Sequence, residues 1–507
     1  MRHRLALFLL SLFPAVAVEI DVNRFTAHYP NVSPEKLGYL ITADLLSKWL
    51  PNFIKFLLIP LVLVLLLSRF GSEFERGNVR LLLSKPLTRR RYFLGWALEG
   101  LKLALISALG ISLSGALAML AHGLEVRDYI IGSLALSLSL VGVVGIALLL
   151  LPLATSRDSG VFLGLGAFVV LLLLGKFDYS FIPTAYLDGA ISIGGSVSVS
   201  HKAVGGLLAL SVGLSLAGME AFRRRELRAS ESITVPGFSF SPRGLYGVFL
   251  GLSLQSKRFM AFIALATLTA FLNLDMLGDY YASWGVPGIL NALISALAGV
   301  FLPFVVLPLG AVSIGSAIET GTVRVLLSKP LRRRDFFLGT LLSDISAVFI
   351  GATLYLATLV AYALHLGAPL SKTLELGLAF GSLLFLSLVQ YLALGYLLSA
   401  FMRGRKALFV SLVLAFLLSF AVPIAVIAAS NSAGESLVDV LARNSLHVPS
   451  PNLHYTVLAR AVSPKRGLPP KSLSEVLNYP GNLALLVVPT LVYLAVSWLK
   501  FRRADLR

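Results

Sequence analysis

Apolar and polar positions alternate along this chain in long blocks rather than in the short periods of a soluble fold. Windows of about 20 mainly apolar residues, the length a helix needs to cross the hydrocarbon core of a bilayer, recur at 4–20, 51–68, 92–121, 129–154, 161–175 and 204–221. They recur again at 259–274, 289–314, 336–365, 374–401, 407–429 and 484–498. The pattern predicts an all-α integral membrane protein with about 12 transmembrane helices in two tandem six-helix repeats. The first repeat is expected over 1–222 and the second over 259–507, joined by a cytoplasmic linker at 223–258. Within that linker Leu245, Phe249 and Leu252 fall at helical spacing, which predicts an amphipathic helix on the inner leaflet before the seventh span.

The first span has the outline of a secretory signal, since Arg2 and Arg4 precede a short apolar run with Ala15-Val16-Ala17 near its end. The same outline returns at Lys257-Arg258 followed by Phe259, where no signal peptidase acts. The first segment is therefore read as a true span.

Composition agrees with this reading. Of 507 residues, 57% are apolar and 13% charged, with a mean hydropathy of +0.85, against about 45–50% and about 25% in soluble domains. No water-soluble core absorbs that excess. The absence of cysteine excludes disulfides, Cys-ligated zinc, iron–sulfur clusters and thiol nucleophiles. The formal charge of +18 first suggests a nucleic-acid partner. With both termini placed inside, however, 29 of the 43 basic residues fall on cytoplasmic segments. That asymmetry is the positive-inside signature, so the basic excess sets orientation and no nucleic-acid partner is expected. The expected location is the cell membrane, multi-pass, with both termini cytoplasmic.

An internal repeat carries most of the functional information. GSEFERGNVRLLLSKPLTRRRYFLG at 71–95 matches GSAIETGTVRVLLSKPLRRRDFFLG at 315–339 without gaps, with 17 of 25 positions identical. At the same offset of 244, the preceding spans share four of 20 positions and the following spans three of 20. Apolar packing in a bilayer tolerates many sequences; a surface that fits the same partner twice does not. Each copy reads as two short helical pieces joined by a turn. Gly77 and Gly321 suit a left-handed helix end, and Pro86 and Pro330 end what precedes them. Val79, Leu82 and Leu83, and likewise Val323, Leu326 and Leu327, form one apolar stripe with Arg80 and Arg324 off it. Glu75 and Glu319 are expected as docking contacts, with a pairing to a neighbouring Arg left open.

These loops resemble the signature of the ABC-2 type permeases, the membrane subunits of ATP-binding-cassette transporters. Members carry Glu-x-Gly-Thr, a Leu-Leu-Ser-x-Pro element, then Arg and a Gly opening the third span. Glu319, Gly321, Thr322, Leu326, Leu327, Ser328, Pro330, Arg333 and Gly339 fit it. Glu75, Gly77, Leu82, Leu83, Ser84, Pro86, Arg89 and Gly95 fit it in the first copy, where Asn78 replaces Thr. The resemblance implies that the loops hold coupling helices meeting a separate ATPase, with Glu75, Gly77, Arg80, Ser84, Pro86 and Arg89 in one and Glu319, Gly321, Thr322, Arg324, Ser328, Pro330 and Arg333 in the other. Family members usually have one six-span unit and dimerise. Two fused units imply one chain forming the pathway and docking two ATPases, which would bring the ATP and magnesium. The resemblance also implies short external helices near Phe181-Ile182-Pro183 and Ser450-Pro451-Asn452, the latter within a long loop at 430–482, and it favours export.

The chain has no Gly-x-x-x-x-Gly-Lys-Ser/Thr loop, so ATP hydrolysis is expected on a partner and this subunit is non-catalytic. No metal motif occurs, and His365 and His454 read as solvated loop-edge residues. Within spans, Glu99 and Lys102 at i, i+3 are expected to neutralise each other. With Asp344 they are the candidates for the pathway, because charge in lipid is costly. The alternative reading is a secondary, ion-gradient-driven carrier with two six-helix halves, although the Gly-x-x-x-Asp loop of such carriers is not seen. A membrane enzyme or scaffold lacks any clustered catalytic constellation.

Overall fold

In the computed structural model, the residues described are 11–29, 32–84, 88–177, 179–194, 196–225, 263–267, 270, 302–319, 323, 332–402, 405–423, 426, 437–462 and 473–503. The chain divides into two compact units, Met1–Ile233 and Thr234–Arg507. The division falls inside the stretch 223–258.

The first unit opens with α1 (Phe13–His28) and α2 (Pro34–Glu75). Ser33 caps α2, its side chain accepting from the Lys36 N–H, and Pro34 supplies a fixed φ at the first position. At 42 residues, α2 is about 63 Å long, roughly twice the hydrocarbon thickness. The second span, expected at 51–68, therefore begins 17 residues earlier. Hydropathy reads Asp44, Lys48 and Lys55 as the end of a span, but each is paired. Asp44 accepts from Arg24 of α1 at 3.1 Å and from Lys48, and Lys55 reaches Asp188 at 2.7 Å. Pairing lets the helix run through. Pro51 and Pro60 lack the N–H that an α-helix needs. The helix widens into π turns at Leu45–Trp49 and Ile54–Leu58, just before each proline.

After a short α3 (Asn78–Leu83), α4 (Arg89–Ala121) starts at Thr88, whose side chain accepts from the Arg91 N–H. Next come α5 (Arg127–Leu153) and α6 (Arg157–Leu174), the latter opened by a Ser156–Ser159 capping box. A short α7 (Pro183–Gly189) and a hairpin, β1 (Ile191–Ile193) against β2 (Val197–Val199) with Ile191 opposite Val199, precede α8 (His201–Arg224). Buried tyrosines fasten this core: the Tyr129 hydroxyl donates to the Ile111 carbonyl and that of Tyr186 to Ala135.

The second unit contains α9 (Pro303–Glu319), α10 (Arg333–His365), α11 (Leu370–Phe401) and α12 (Arg405–Phe416), which continues as a π turn at Leu417–Ala421. Then follow α13 (Leu437–Ser445), α14 (Pro451–Val462) and α15 (Pro480–Arg503). Gly310 and Gly395 let α9 and α11 approach closely, since a Cβ on Gly395 would lie 2.5 Å from the Leu307 carbonyl oxygen. The helices α4 and α10 both have 33 residues and start and end 244 positions apart, and α8 and α15 both have 24. The short helices expected near Pro183 and Pro451 are α7 and α14, each begun by its proline.

Among the described residues, eight helices are long and apolar enough to cross a membrane, and Pro303–Gly315 and Lys406–Ser419 are shorter apolar helices. The protein is an all-α multi-pass membrane protein. The first span, expected at 4–20, lies outside the described residues up to residue 10, and the 16-residue α1 covers its later part. Its described part carries Glu19, Asp21 and Arg24. The seventh span, apart from 263–267 and 270, and the Leu245–Leu252 amphipathic stretch lie outside the described residues.

His454 overturns its expected place. It is 1% exposed, on the face of α14 turned toward α15, with Nδ1 accepting from Asn482 at 3.2 Å. Asn482 also donates to Ser445 of α13. Burial pulls the imidazole down to about 4. Sequence placed His454 in a long external loop because α14 is too short to register as a hydrophobic block.

Candidate functional site

The first repeated loop forms an elbow. Helix α2 ends at Glu75, and the turn through Arg76 and Gly77 is closed by Arg76 N–H donating to Ser72 O at 3.2 Å and Gly77 N–H to Phe74 O at 3.0 Å. Gly77 has φ +75°, the left-handed conformation expected for it. The short α3 then begins, with Leu81 N–H donating to Gly77 O. The expected stripe of Val79, Leu82 and Leu83 is only partly right. Val79 is fully buried, Leu82 and Leu83 are half-buried, and Leu81 stands 63% exposed. Arg80 lies in α3, and the exposed Ser84 closes its end by donating to Leu81 O at 2.8 Å. Pro86 lies outside the described residues.

Glu75 is exposed, and its Oε2 accepts from the Arg157 backbone N–H at 3.1 Å, the first residue of α6. A carboxylate at a helix N-terminus meets both an unused donor and the positive end of the dipole. Gly71 brings the two helices together, since a Cβ there would overlap the Ser156 carbonyl. The intramolecular option for Glu75 is thus a helix cap on the Arg157 backbone, and the residue stays exposed, as does Arg76.

In the second elbow, α9 ends at Glu319, the position equivalent to Glu75. Val323 is 1% exposed, matching the buried Val79. Gly321, Thr322, Arg324, Ser328 and Pro330 lie outside the described residues.

Arg89 and Arg333 each bond to the end of another helix. Arg89 Nη1 donates to the carbonyls of Arg223 and Arg225 at 2.6 and 2.9 Å, and Arg333 Nη1 to that of Arg502 at 2.7 Å. One turn further on, Tyr92 stacks on Phe222 with centroids 6.0 Å apart and planes at 26°, and Phe336 on Phe501 at 5.9 Å and 26°. These partners at the ends of α8 and α15 were missed in sequence. The signal was there, as Phe222-Arg223-Arg224 recurs as Phe501-Arg502-Arg503. Beside them, Arg225 lies over the Phe74 ring at 4.1 Å, and burial holds its guanidinium below its ordinary value.

The ionisable residues inside spans pair differently from expectation. Glu99 does not neutralise Lys102. Arg69 of α2 donates to Glu99 at 2.6 Å and lies over the Trp96 ring at 5.5 Å, while Lys102 is exposed. The neighbouring helix supplies a cation with fork geometry and wins over the residue one turn away. Asp344 accepts from Ser313 of α9 and Tyr396 of α11, each at 2.6 Å. Ser313 is the repeat equivalent of Arg69, so each unit ties its elbow-bearing helix to the next long helix by one acid at the same level. Among the described residues, no three His, Asp or Glu side chains gather to hold a metal.

Residues 153–506 match a family described as ABC-2 family transporter protein. No curated protein matches the chain. The matched stretch takes in the second elbow whole, and the first elbow is tied to it by the 17 identities of the repeat.

Proposed function

We propose, from the premise that the chain belongs to the ABC-2 transporter family, that it is the permease subunit of an ATP-binding-cassette exporter, coupled through loops 71–95 and 315–339 to separate ATPase subunits. One fused chain supplies both elbows and takes two ATPase copies, each bringing its ATP and magnesium. The subunit itself does no chemistry and resides in the cell membrane with both termini cytoplasmic. ATP binding shifts the pathway between inward- and outward-facing states, which requires the partner to bind those states with different affinity.

The observation that carries this reading is the duplicated elbow. Its sequence repeats where flanking spans have diverged, and in the first copy Glu75, Arg76 and Leu81 stand exposed on one short helix and its turn. An apolar anchor ringed by charges fits a groove on another protein.

The test is gentle purification of the full chain from its native membrane. A stoichiometric P-loop ATPase is expected, and Glu75→Lys with Glu319→Lys together should release it. Transport in vesicles of the purified chain alone would overturn the reading in favour of an ion-driven carrier.

A further inference from the structure

The strongest unassigned feature is the strap that closes each unit just above its elbow. A helix leaves its last carbonyls without partners, and a cation there also meets the negative end of the dipole. In unit one, Arg89, in the first turn of α4, spans two such carbonyls at the end of α8. In unit two, Arg333, in the first turn of α10, donates to one such carbonyl, that of Arg502 at the end of α15. The aromatic stack one turn on recurs with nearly the same distance and angle. A third aromatic completes it, with Phe93 6.0 Å from Phe222 at 36° and Phe337 5.9 Å from Phe501 at 34°. On the elbow side its residues lie within the repeated stretch 71–95 and 315–339, which keeps Arg89 and Phe93 as Arg333 and Phe337, and the partner triplet Phe222-Arg223-Arg224 recurs outside that stretch as Phe501-Arg502-Arg503.

We infer that Arg89 and Arg333 are positioning residues that bind the helix after each elbow to the last helix of the same unit, so that a displaced elbow carries both as one body. They do not touch the ATPase; they set what moves when it pulls. The transport readout rests on the proposed function, whereas the rigidity readout does not. In unit one both bonds leave the same Nη1, so a lysine ammonium keeps the charge and the donors and loses the rigid planar head that aims them. Arg89→Lys is therefore expected to fall between Arg89 and Arg89→Ala.

The chain has no cysteine, so paired spin labels report cleanly. Labels at Arg90→Cys and Arg224→Cys in unit one, and at Arg334→Cys and Arg503→Cys in unit two, all on exposed positions, give distances by electron–electron resonance in the full chain with and without its ATPase and ATP. A narrow distance unchanged by nucleotide is expected in each unit. Arg89→Ala broadens the first and leaves the second, and Arg333→Ala does the reverse. Transport per ATP hydrolysed falls about tenfold, the scale of one lost charge-assisted hydrogen bond, while the ATPase stays bound. A nucleotide-dependent change of either distance in the unsubstituted chain overturns the inference, as does a narrow distribution in Arg89→Ala. Release of the ATPase by Arg89→Ala also overturns it and returns Arg89 to the docking surface. If no ATPase binds the parent chain, the proposed function fails, and the broadening in the isolated chain still decides the strap. Should Arg89→Ala not fold, Arg89→Lys provides the broadening.

Discussion

Gly77→Ala isolates the elbow's backbone from its side chains. The residue sits at φ +75°, and a Cβ built there meets nothing within 4 Å. Steric overlap with the rest of the molecule is therefore absent, and the whole effect lies in holding an L-residue in the left-handed region, about 1–2 kcal/mol. That corresponds to a factor of about 5–30 in a local equilibrium. The turn joins α2 to the six-residue α3, which has little besides Val79 to anchor it. The cost is expected to open the elbow locally rather than unfold the unit. Amide hydrogen exchange over 78–84, measured on the purified chain, should accelerate by that factor, with the melting temperature unchanged. Gly77→Asn should accelerate it less, because Asn tolerates this region. If Ala and Asn leave exchange at the parent rate, the left-handed turn does not hold the elbow. If the melting temperature falls in step, the elbow belongs to the cooperative core.

Arg69→Ala should destabilise more than the double variant Arg69→Ala/Glu99→Ala, by about 1–3 kcal/mol, because it leaves the mostly buried Glu99 without its cation; additive melting shifts would refute the pairing. Asp344→Asn should be tolerated within about 1 kcal/mol, since an amide oxygen still accepts from Ser313 and Tyr396. Asp344→Leu leaves two hydroxyls without that acceptor and should cost about 2–4 kcal/mol, read by thermal denaturation in detergent. His454 is neutral when folded, with its pKa depressed to about 4 against an ordinary 6.5. Above pH 6.5 it has no pH effect, and between 6.5 and 4 the unfolded chain takes the proton first. Stability should therefore fall by up to about 3 kcal/mol across that window. His454→Gln should flatten the dependence, and an unchanged slope would place the titration elsewhere.

The apolar blocks were legible because lipid exposure demands them whatever the neighbours are, and the elbow was legible because it is written twice. What escaped depends on partners distant in sequence. The early start of α2 rests on Arg24 and Asp188 neutralising Asp44 and Lys55. The burial of His454 rests on a helix of 12 residues folding back against α15. Glu99 was assigned the nearest cation along its own helix, and Arg69 is nearer in space. Arg89 and Arg333 entered as members of the elbow because they adjoin it in the motif, while their side chains serve another helix end.

The widened turns of α2 bear on how this chain tolerates changes of length. A π turn holds one residue more than the α turn it replaces, and each residue of a helix advances about 100° around the axis. Deleting one residue between 45 and 49 would therefore return the wide turn to a regular one and leave the flanking segments in phase, with Asp44 still facing Arg24. The surplus residue works as slack that the longest described helix of the first unit can give up. A deletion in its regular stretch at 61–66 has no such slack and swings the part carrying Asp44 and Lys55 by about 100° relative to the elbow. The first deletion should be tolerated and the second should break the packing of this helix.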